Sequence, residues 1–253
     1  PYRLTLLSYS EAGYKNLLKI STLGYIEGFY YKPRVDKEFL KEHCEGLIAL
    51  SGGVQGEIPH ALLLGDQKKA EDLIKKYQDI FGVENFYLEL IHHPDFPRQE
   101  ETNDLIKALA DRTGTQLVAT KNIFYLDPDD RDGYEAQMCI QRGRTLEDFR
   151  RTSTQDVDLS MSKPQEIIEY FKDVPEALLN TKKIADQVDF QMDLGNNYLP
   201  IFPMPEGKTD EDYLHELAWE GIKKRYDEIT PEIKERFEYE FGVIKKMGFA
   251  SYF

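Results

Sequence analysis

Histidine, cysteine and clustered carboxylates are the side chains with which this chain can hold a metal or move protons, and their spacing limits both. The five histidines are His43, His60, His92, His93 and His215. None falls in the H-E-x-x-H arrangement that sets two imidazoles on one helical face for zinc. His92 and His93 follow the apolar run Phe86 to Ile91, the end of an expected strand where parallel α/β folds gather their sites. Adjacent residues of extended chain point to opposite sides, so only one of the pair can face a cleft. The plainer reading makes both of them loop or surface residues. His43 beside Cys44 looks like a metal pair, but neighbouring side chains diverge and no second pair accompanies them.

Phosphate chemistry has one candidate. Ser51-Gly52-Gly53-Val54-Gln55-Gly56-Glu57 places three glycines between an expected strand and an expected helix. It lacks the Lys-Ser/Thr of a P-loop and the spacing of a dinucleotide fingerprint. A tight strand-to-helix turn is the simpler role, although its N–H groups can approach an anion at a helix start. Asp127, Asp129, Asp130 and Asp132 form an acidic stretch of a kind that attracts divalent cations. Counted as an EF-hand loop, however, it puts Asp132 where glycine is needed and Met138 where glutamate is needed. With Pro128 it fits a helix start better, because carboxylates there favour the macrodipole. The residues alone assemble no complete active site.

The elements that must position these groups come in two styles. Up to about Ile140, short β-rich runs alternate with helical ones. The strand candidates are Arg3 to Leu7, Gly46 to Leu50, Phe86 to Ile91 and Gln116 to Thr120, each bounded by Gly, Asn, Asp or Ser. Helical patterns lie near Glu11 to Ile20, Asp66 to Phe81 and Gln99 to Arg112. Ala70, Leu73, Ile74 and Tyr77 recur there as one apolar stripe. Such alternation predicts right-handed crossovers and a mostly parallel sheet, open or closed into a barrel. Four strands are too few to close a barrel alone.

The later region reads as mainly helical. Ser162 with Gln165, and Asp173 with Glu176, predict capping boxes, with Pro164 and Pro175 just inside. The prolines of Asn196 to Pro205 mark an extended connector, and a domain boundary is expected just before it, near Leu194. Beyond it Thr209 and Thr230-Pro231 predict two further helix starts.

Composition bounds the function. The chain has 253 residues, 41% hydrophobic and 12% aromatic, which is enough for a real core in one or two domains. Acidic residues outnumber basic ones 46 to 32, for a net charge of −14. Duplex binding by counterion release needs a Lys/Arg-rich face. The one local basic cluster, Arg142, Arg144, Arg150 and Arg151, is diluted by Glu147 and Asp148. No apolar run approaches the roughly 20 residues of a membrane span. Two cysteines suit a reducing compartment, and a cytoplasmic location is expected. The start at Pro1 within strand-like sequence, and the aromatic end Gly248 to Phe253, lead to the expectation of a piece cut from a longer chain.

Several stretches, in order, carry a resemblance. They are Leu4-Thr5-Leu6-Leu7, Gly13-Tyr14-Lys15-Asn16-Leu17, Lys32-Pro33-Arg34-Val35-Asp36, Glu45-Gly46-Leu47-Ile48-Ala49-Leu50-Ser51 and Gly56-Glu57-Ile58. Phe86-Tyr87-Leu88-Glu89-Leu90, Val118-Ala119-Thr120, Pro175-Glu176-Ala177-Leu178, Tyr198-Leu199-Pro200 with Phe202-Pro203, and Met247 to Phe253 complete the set. Together they resemble the α-subunit family of bacterial DNA polymerase III, the C-family replicative polymerases, over the whole chain.

The resemblance implies an α/β fold: an incomplete PHP-type (polymerase and histidinol phosphatase) distorted β/α barrel in residues 1–194, then a mainly helical lead-in to the polymerase palm in 195–253. It implies a DNA-directed DNA polymerase as the parent, using Mg2+, deoxynucleoside triphosphates and primer-template DNA. A proofreading exonuclease subunit and a sliding clamp are implied as partners, without a membrane. The palm carboxylates and the first histidine motifs are expected outside this chain, so no catalytic or cofactor-binding residue is expected within it.

Some members of the family keep a metal-dependent 3′–5′ exonuclease in the PHP domain. There a histidine opens the strand that is here Arg3 to Leu6, and a cysteine often stands at the position of Gly53. An aspartate and a histidine stand at the positions of Asn122 and Phe124. None of these four is a ligand type here, so no metal is expected and the domain is expected to serve as scaffold and docking module. The alternative is a metal-dependent PHP phosphoesterase or exonuclease using other ligands, His92 or His93 among them.

Overall fold

The computed structural model describes residues 1–148, 157–196 and 202–253. The chain divides into two compact units, Pro1–Met192 and Asp193–Phe253.

The first unit is built on one four-stranded sheet: β1 (Thr5–Ser8), β2 (Leu47–Leu50), β3 (Phe86–Ile91) and β4 (Leu117–Thr120), in that spatial order. β2, β3 and β4 are parallel, Leu88 pairing with Leu117 and Leu50 with Tyr87. β1 runs antiparallel to β2, with Thr5 opposite Leu50 and Ser8 opposite Leu47. Between β1 and β2 the chain forms α1 (Glu11–Ile26) and α2 (Lys37–Glu42). The crossover from β2 to β3 carries α3 (Glu57–Leu63) and α4 (Gln67–Phe81), and α5 (Gln99–Thr113) joins β3 to β4.

Both faces of the sheet are covered, so its central strands are continuous apolar runs rather than alternating ones. Leu47, Ala49, Phe86, Leu88 and Leu90 pack into the larger core with the buried stripe of α4 and with Ile106 and Leu109 of α5. Ile48, Leu50, Tyr87 and Val118 point the other way, toward Ile184. After β4 come α6 (Arg131–Arg142), α7 (Pro164–Tyr170) and α8 (Pro175–Gln187). α8 lies against β4 and satisfies backbone groups there: Asn180 Nδ2 donates to the Leu117 carbonyl at 2.8 Å, and Thr181 Oγ1 to that of Ala119 at 2.7 Å. A bare strand edge invites foreign pairing, and side-chain donors blunt it.

Two helix starts differ from the sequence expectation by one residue. α7 begins at Pro164 with Lys163, not Ser162, at its cap, and the Lys163 N–H donates to the Glu166 carboxylate at 3.1 Å. Ser162 is engaged elsewhere, accepting from Lys121 Nζ at 2.6 Å. α8 begins at Pro175 with Val174 at its cap rather than Asp173. In both cases proline, with its φ already helical, takes the first helical position.

In the second unit α9 (Asp210–Arg225) and α10 (Pro231–Lys246) start at Thr209 and Thr230, whose hydroxyls accept from the N–H groups of Asp212 and Ile233. The two helices run antiparallel. Glu211 pairs with Lys245 at 2.7 Å, and the His215 ring lies about 5 Å from those of Phe237 and Phe241. Ala250 is the one buried residue of this unit among those described. No helix among the described residues is long and apolar enough to cross a membrane.

Candidate functional site

The carboxyl ends of the parallel strands open into a cavity of about 440 Å³. Each strand delivers a residue to it: β2 leads into Gly52, β3 into His93, and β4 into Asn122. Because β1 is antiparallel, its amino end reaches the same place, and Arg3 enters the lining. The opposite wall comes from Phe124 and Tyr125, along which Leu159 is bonded through the Phe124 N–H (2.9 Å) and the Tyr125 hydroxyl (3.1 Å), and from Arg131 and Arg142 of α6.

The turn after β2 needs its glycines. Gly52 and Gly53 have φ of +85° and +58°, the left-handed region that side chains resist. A Cβ at Gly52 would lie 2.2 Å from the Arg3 carbonyl oxygen, and one at Gly53 would lie 2.3 Å from Ile91 Cδ1. The turn passes through a short 3-10 segment, Gly53–Gln55, into α3, and the Arg3 N–H donates to the Gln55 carbonyl at 2.9 Å. The three-glycine stretch is thus a close-packed strand-to-helix turn.

Beside this turn, next to the cavity, lies Glu89, a carboxyl inside the apolar strand β3 and only 6% exposed. Its Oε2 accepts from the Gly52 N–H at 3.0 Å and its Oε1 from Thr120 Oγ1 at 2.8 Å, while its own N–H donates to Ser51 Oγ at 2.9 Å. Burial pushes its pKa above the usual carboxylate value, and the bonds from Thr120 and Gly52 and the charge of Arg3 only partly offset this. Sequence reasoning assigned Glu89 no role. Its signal was a lone charge in a run of buried strand residues.

The two adjacent histidines separate as extended chain requires. His93 is not a surface residue: it is 4% exposed and lines the cavity, its Nε2 accepting the Asn122 N–H at 3.2 Å. His92 turns away and meets the Tyr170 ring edge-on at 4.3 Å, and its buried Nδ1 has no hydrogen-bond partner among the described residues. Burial, with the nearby charge of Lys121, lowers both pKa values and favours the neutral imidazole.

A second group missed in the sequence is Asn103 of α5. Its Oδ1 accepts from the Ile91 N–H (3.2 Å) and from Gln99 Nε2 (2.9 Å), and its Nδ2 donates to the Ile91 carbonyl (2.9 Å) and the Tyr170 hydroxyl (3.1 Å). It stands in for a neighbouring strand at the end of β3, just before the histidines.

The remaining candidates lie apart from the cavity or serve locally. The His43 ring contacts that of Phe39 at 4.4 Å, while Cys44 Sγ donates to the Lys41 carbonyl at 3.2 Å. His60 lies against Tyr2. Asp127 and Asp130 shape the start of the α6 region, the Asp127 N–H donating to the Asp130 carboxylate at 3.1 Å. Arg142 lines the cavity and Arg144 is exposed, whereas Arg150 and Arg151 lie outside the described residues. Of the four positions singled out by the family resemblance, Arg3, Asn122 and Phe124 meet in the cavity lining, and Gly53 packs in the turn beside it. Among the described residues, no three His, Cys, Asp or Glu side chains converge into a set able to hold a metal ion.

Comparison with known proteins finds a family match toward each end of the chain. Residues 1–93 match the PHP domain family, and residues 212–253 match the family described as the bacterial DNA polymerase III alpha NTPase domain. The whole chain is 35% identical to the DNA polymerase III subunit alpha of Treponema pallidum, covering 100% of this chain and 22% of that protein. It is 37% identical to the subunit of the same name from Pseudomonas aeruginosa, with 99% of this chain and 22% of the relative covered. The corresponding protein of Aquifex aeolicus is also 37% identical, with 100% and 23% covered. The chain therefore spans under a quarter of the length of these curated relatives.

Proposed function

From a chain that belongs, along its whole length, with the bacterial DNA polymerase III α subunits, we infer a segment of a replicative DNA-directed DNA polymerase whose PHP part is scaffold and docking module rather than a metalloenzyme. In this reading residues 1–194 form the later part of the PHP domain and 195–253 lead into the palm. The parent transfers nucleotides from deoxynucleoside triphosphates to a primer with Mg2+ held elsewhere, in the cytoplasm, together with a sliding clamp and a separate proofreading exonuclease.

The observation that supports the scaffold reading is what fills the cavity. Catalytic zinc or manganese needs several converging carboxylate, thiolate or neutral imidazole donors with free lone pairs. Arg3 brings a fixed positive charge into the lining, and Phe124 offers no donor atom. His93 Nε2 is already bonded to the Asn122 N–H, the lining carboxylate Glu135 is paired with Arg131 at 3.0 Å, and beside the cavity both oxygens of Glu89 accept bonds from the protein itself. A cysteine at position 53 would drive its Cβ into Ile91. The donor set does not fit a metal cluster.

Elemental analysis of the purified chain after exposure to zinc or manganese tests this reading. The expected result is less than one tightly bound ion per chain. A stoichiometric cluster that is lost, together with chelator-sensitive 3′–5′ exonuclease activity, when His93 or Glu89 is replaced would overturn it.

A further inference from the structure

We propose that the exposed aromatic turn between α1 and α2, with the carboxylates around it, is a docking surface for a cationic peptide segment of a partner protein. The proposal rests on the scaffold reading and names the surface that does the docking.

The turn is strained in a way that burial does not repay. Tyr30 and Lys32 close it through one bridge, the Tyr30 N–H donating to the Lys32 carbonyl at 3.2 Å. That leaves Tyr31 at a φ of +60°, although it is neither glycine nor asparagine. A left-handed conformation costs an ordinary residue about 1–2 kcal/mol. Tyr31 is 84% exposed, so no core contact offsets the cost. Backbone strain that packing does not explain points to function at the strained residue.

The surroundings extend the argument. Tyr25, Ile26, Phe29 and Tyr30 are each more than half exposed. The Tyr25 and Phe29 rings stack 6.2 Å apart, and Tyr30 meets Tyr31 edge-on at 4.6 Å. Single exposed apolar residues are ordinary, but a contiguous patch with a polar rim marks an interaction site.

Charge then selects the partner. A shallow groove beside the turn is lined by Phe29, Tyr30 and Phe39 and rimmed by Glu27, Glu38 and Glu42. Asp36 also lines it but is used as the cap of α2. The three rim glutamates are exposed, and their carboxylates have neither an ion pair nor a hydrogen bond among the described residues. The groove already shows how it receives a cation: the Arg34 guanidinium lies 4.8 Å from the centroid of the Tyr30 ring. Phosphates of a nucleic acid would meet like charge here. A segment of alternating Lys or Arg and aliphatic residues matches both the rings and the rim.

The test is fluorescence anisotropy of the whole chain against a labelled peptide of alternating arginine and leucine. A glutamate-leucine peptide and a thymidine oligonucleotide serve as competitor probes. The arginine peptide should bind, and more weakly as salt rises. Glu27→Gln, Glu38→Gln and Glu42→Gln combined should weaken it about tenfold, each rim charge being worth under about 1 kcal/mol. The charge-matched control Glu206→Gln, Glu228→Gln and Glu235→Gln should leave affinity unchanged. Tyr31→Gly, which suits the backbone better, should raise the melting temperature yet weaken binding about threefold. Equal losses in the rim and control variants, unchanged affinity in Tyr31→Gly, or preference for the oligonucleotide would overturn the proposal. Metal content of the cavity is unaffected in every arm, so a metal cluster found there would sink the scaffold reading without imitating any of these results.

Discussion

The cavity at the strand ends and the aromatic turn after α1 are opposite solutions to the placement of reactive groups. In and beside the cavity stand the residue types that suggest chemistry: glutamates, a histidine, arginines and amides. Yet the polar atoms of Glu89, His93 and Asn103 are bonded inward, to the turn and β4, to the segment after β4, and to the end of β3. The turn holds tyrosines, phenylalanine and glutamates that sequence reading passes over; the exposed rings touch mainly one another and Arg34, and the rim carboxylates face solvent without a partner among the described residues. Binding capacity follows unmet groups rather than catalytic residue types. A buried polar group stabilises the fold only when satisfied, and once satisfied it has little left to offer a ligand.

The largest test of this contrast removes an inward bond. Asn103→Leu would leave the Ile91 N–H buried and unpaired and strip the Ile91 carbonyl back to its bond from the His93 N–H, and should cost about 3 kcal/mol in urea unfolding. Gly53→Ala should cost about 2 kcal/mol, because the backbone is left-handed and the new Cβ meets Ile91 Cδ1. Ile91→Val deletes that methyl, so the double variant should recover part of the loss. Simple additivity would show that the turn is not pressed against β3.

Next comes a pair of opposite pH slopes. The folded-state pKa of Glu89 is raised, so the folded protein holds the proton more tightly, and its contribution declines as pH rises through and above the ordinary carboxylate value. Glu57 is the reverse. Its burial, which would raise the pKa, is outweighed by Lys37 at 2.5 Å and the Tyr77 hydroxyl at 2.9 Å, which lower it. Its contribution is present above the ordinary carboxylate value and lost as pH falls through the lowered one. Relative to the parent chain, Glu89→Gln should therefore gain stability with rising pH, while Glu57→Gln should lose it. Denaturation midpoints from about pH 3 to about pH 7, below and above the ordinary carboxylate value, separate the two: the Glu57→Gln difference opens below that value and the Glu89→Gln difference above it, and parallel slopes would contradict the assigned environments.

The smallest effects belong to the turn. Tyr31→Gly should stabilise by about 1 kcal/mol, and the three rim substitutions together should stay within about 0.5 kcal/mol of the parent. A large destabilisation by either would mean that the patch is structural after all.

Much of the fold was legible because the signals were local. All four strands, the stripe of α4 and the caps at Thr209 and Thr230 follow from residue type and spacing within a few positions. The cap expected at Ser162 failed for a reason outside its own segment, since Lys121, distant in sequence, occupies that hydroxyl. His93 was misjudged in the same way: neighbouring residues mark a strand end, but the Asn122 N–H that meets its ring belongs to the segment after another strand.

The sequence by itself therefore determined the strands and most of the helices (though not the one at Lys37–Glu42), the kinship with DNA polymerase III α subunits, and the residue types at Arg3, Gly53, Asn122 and Phe124. Tertiary structure alone decided that β1 turns antiparallel and carries Arg3 to the carboxyl ends of its neighbours, that Glu89 and Asn103 are bonded inward, and that Tyr31 stands strained in solvent. The physical reason is range. Periodicity and capping act within a turn or two of chain, whereas burial, charge environment and hydrogen-bond completion depend on groups that only the folded path brings within a few ångströms.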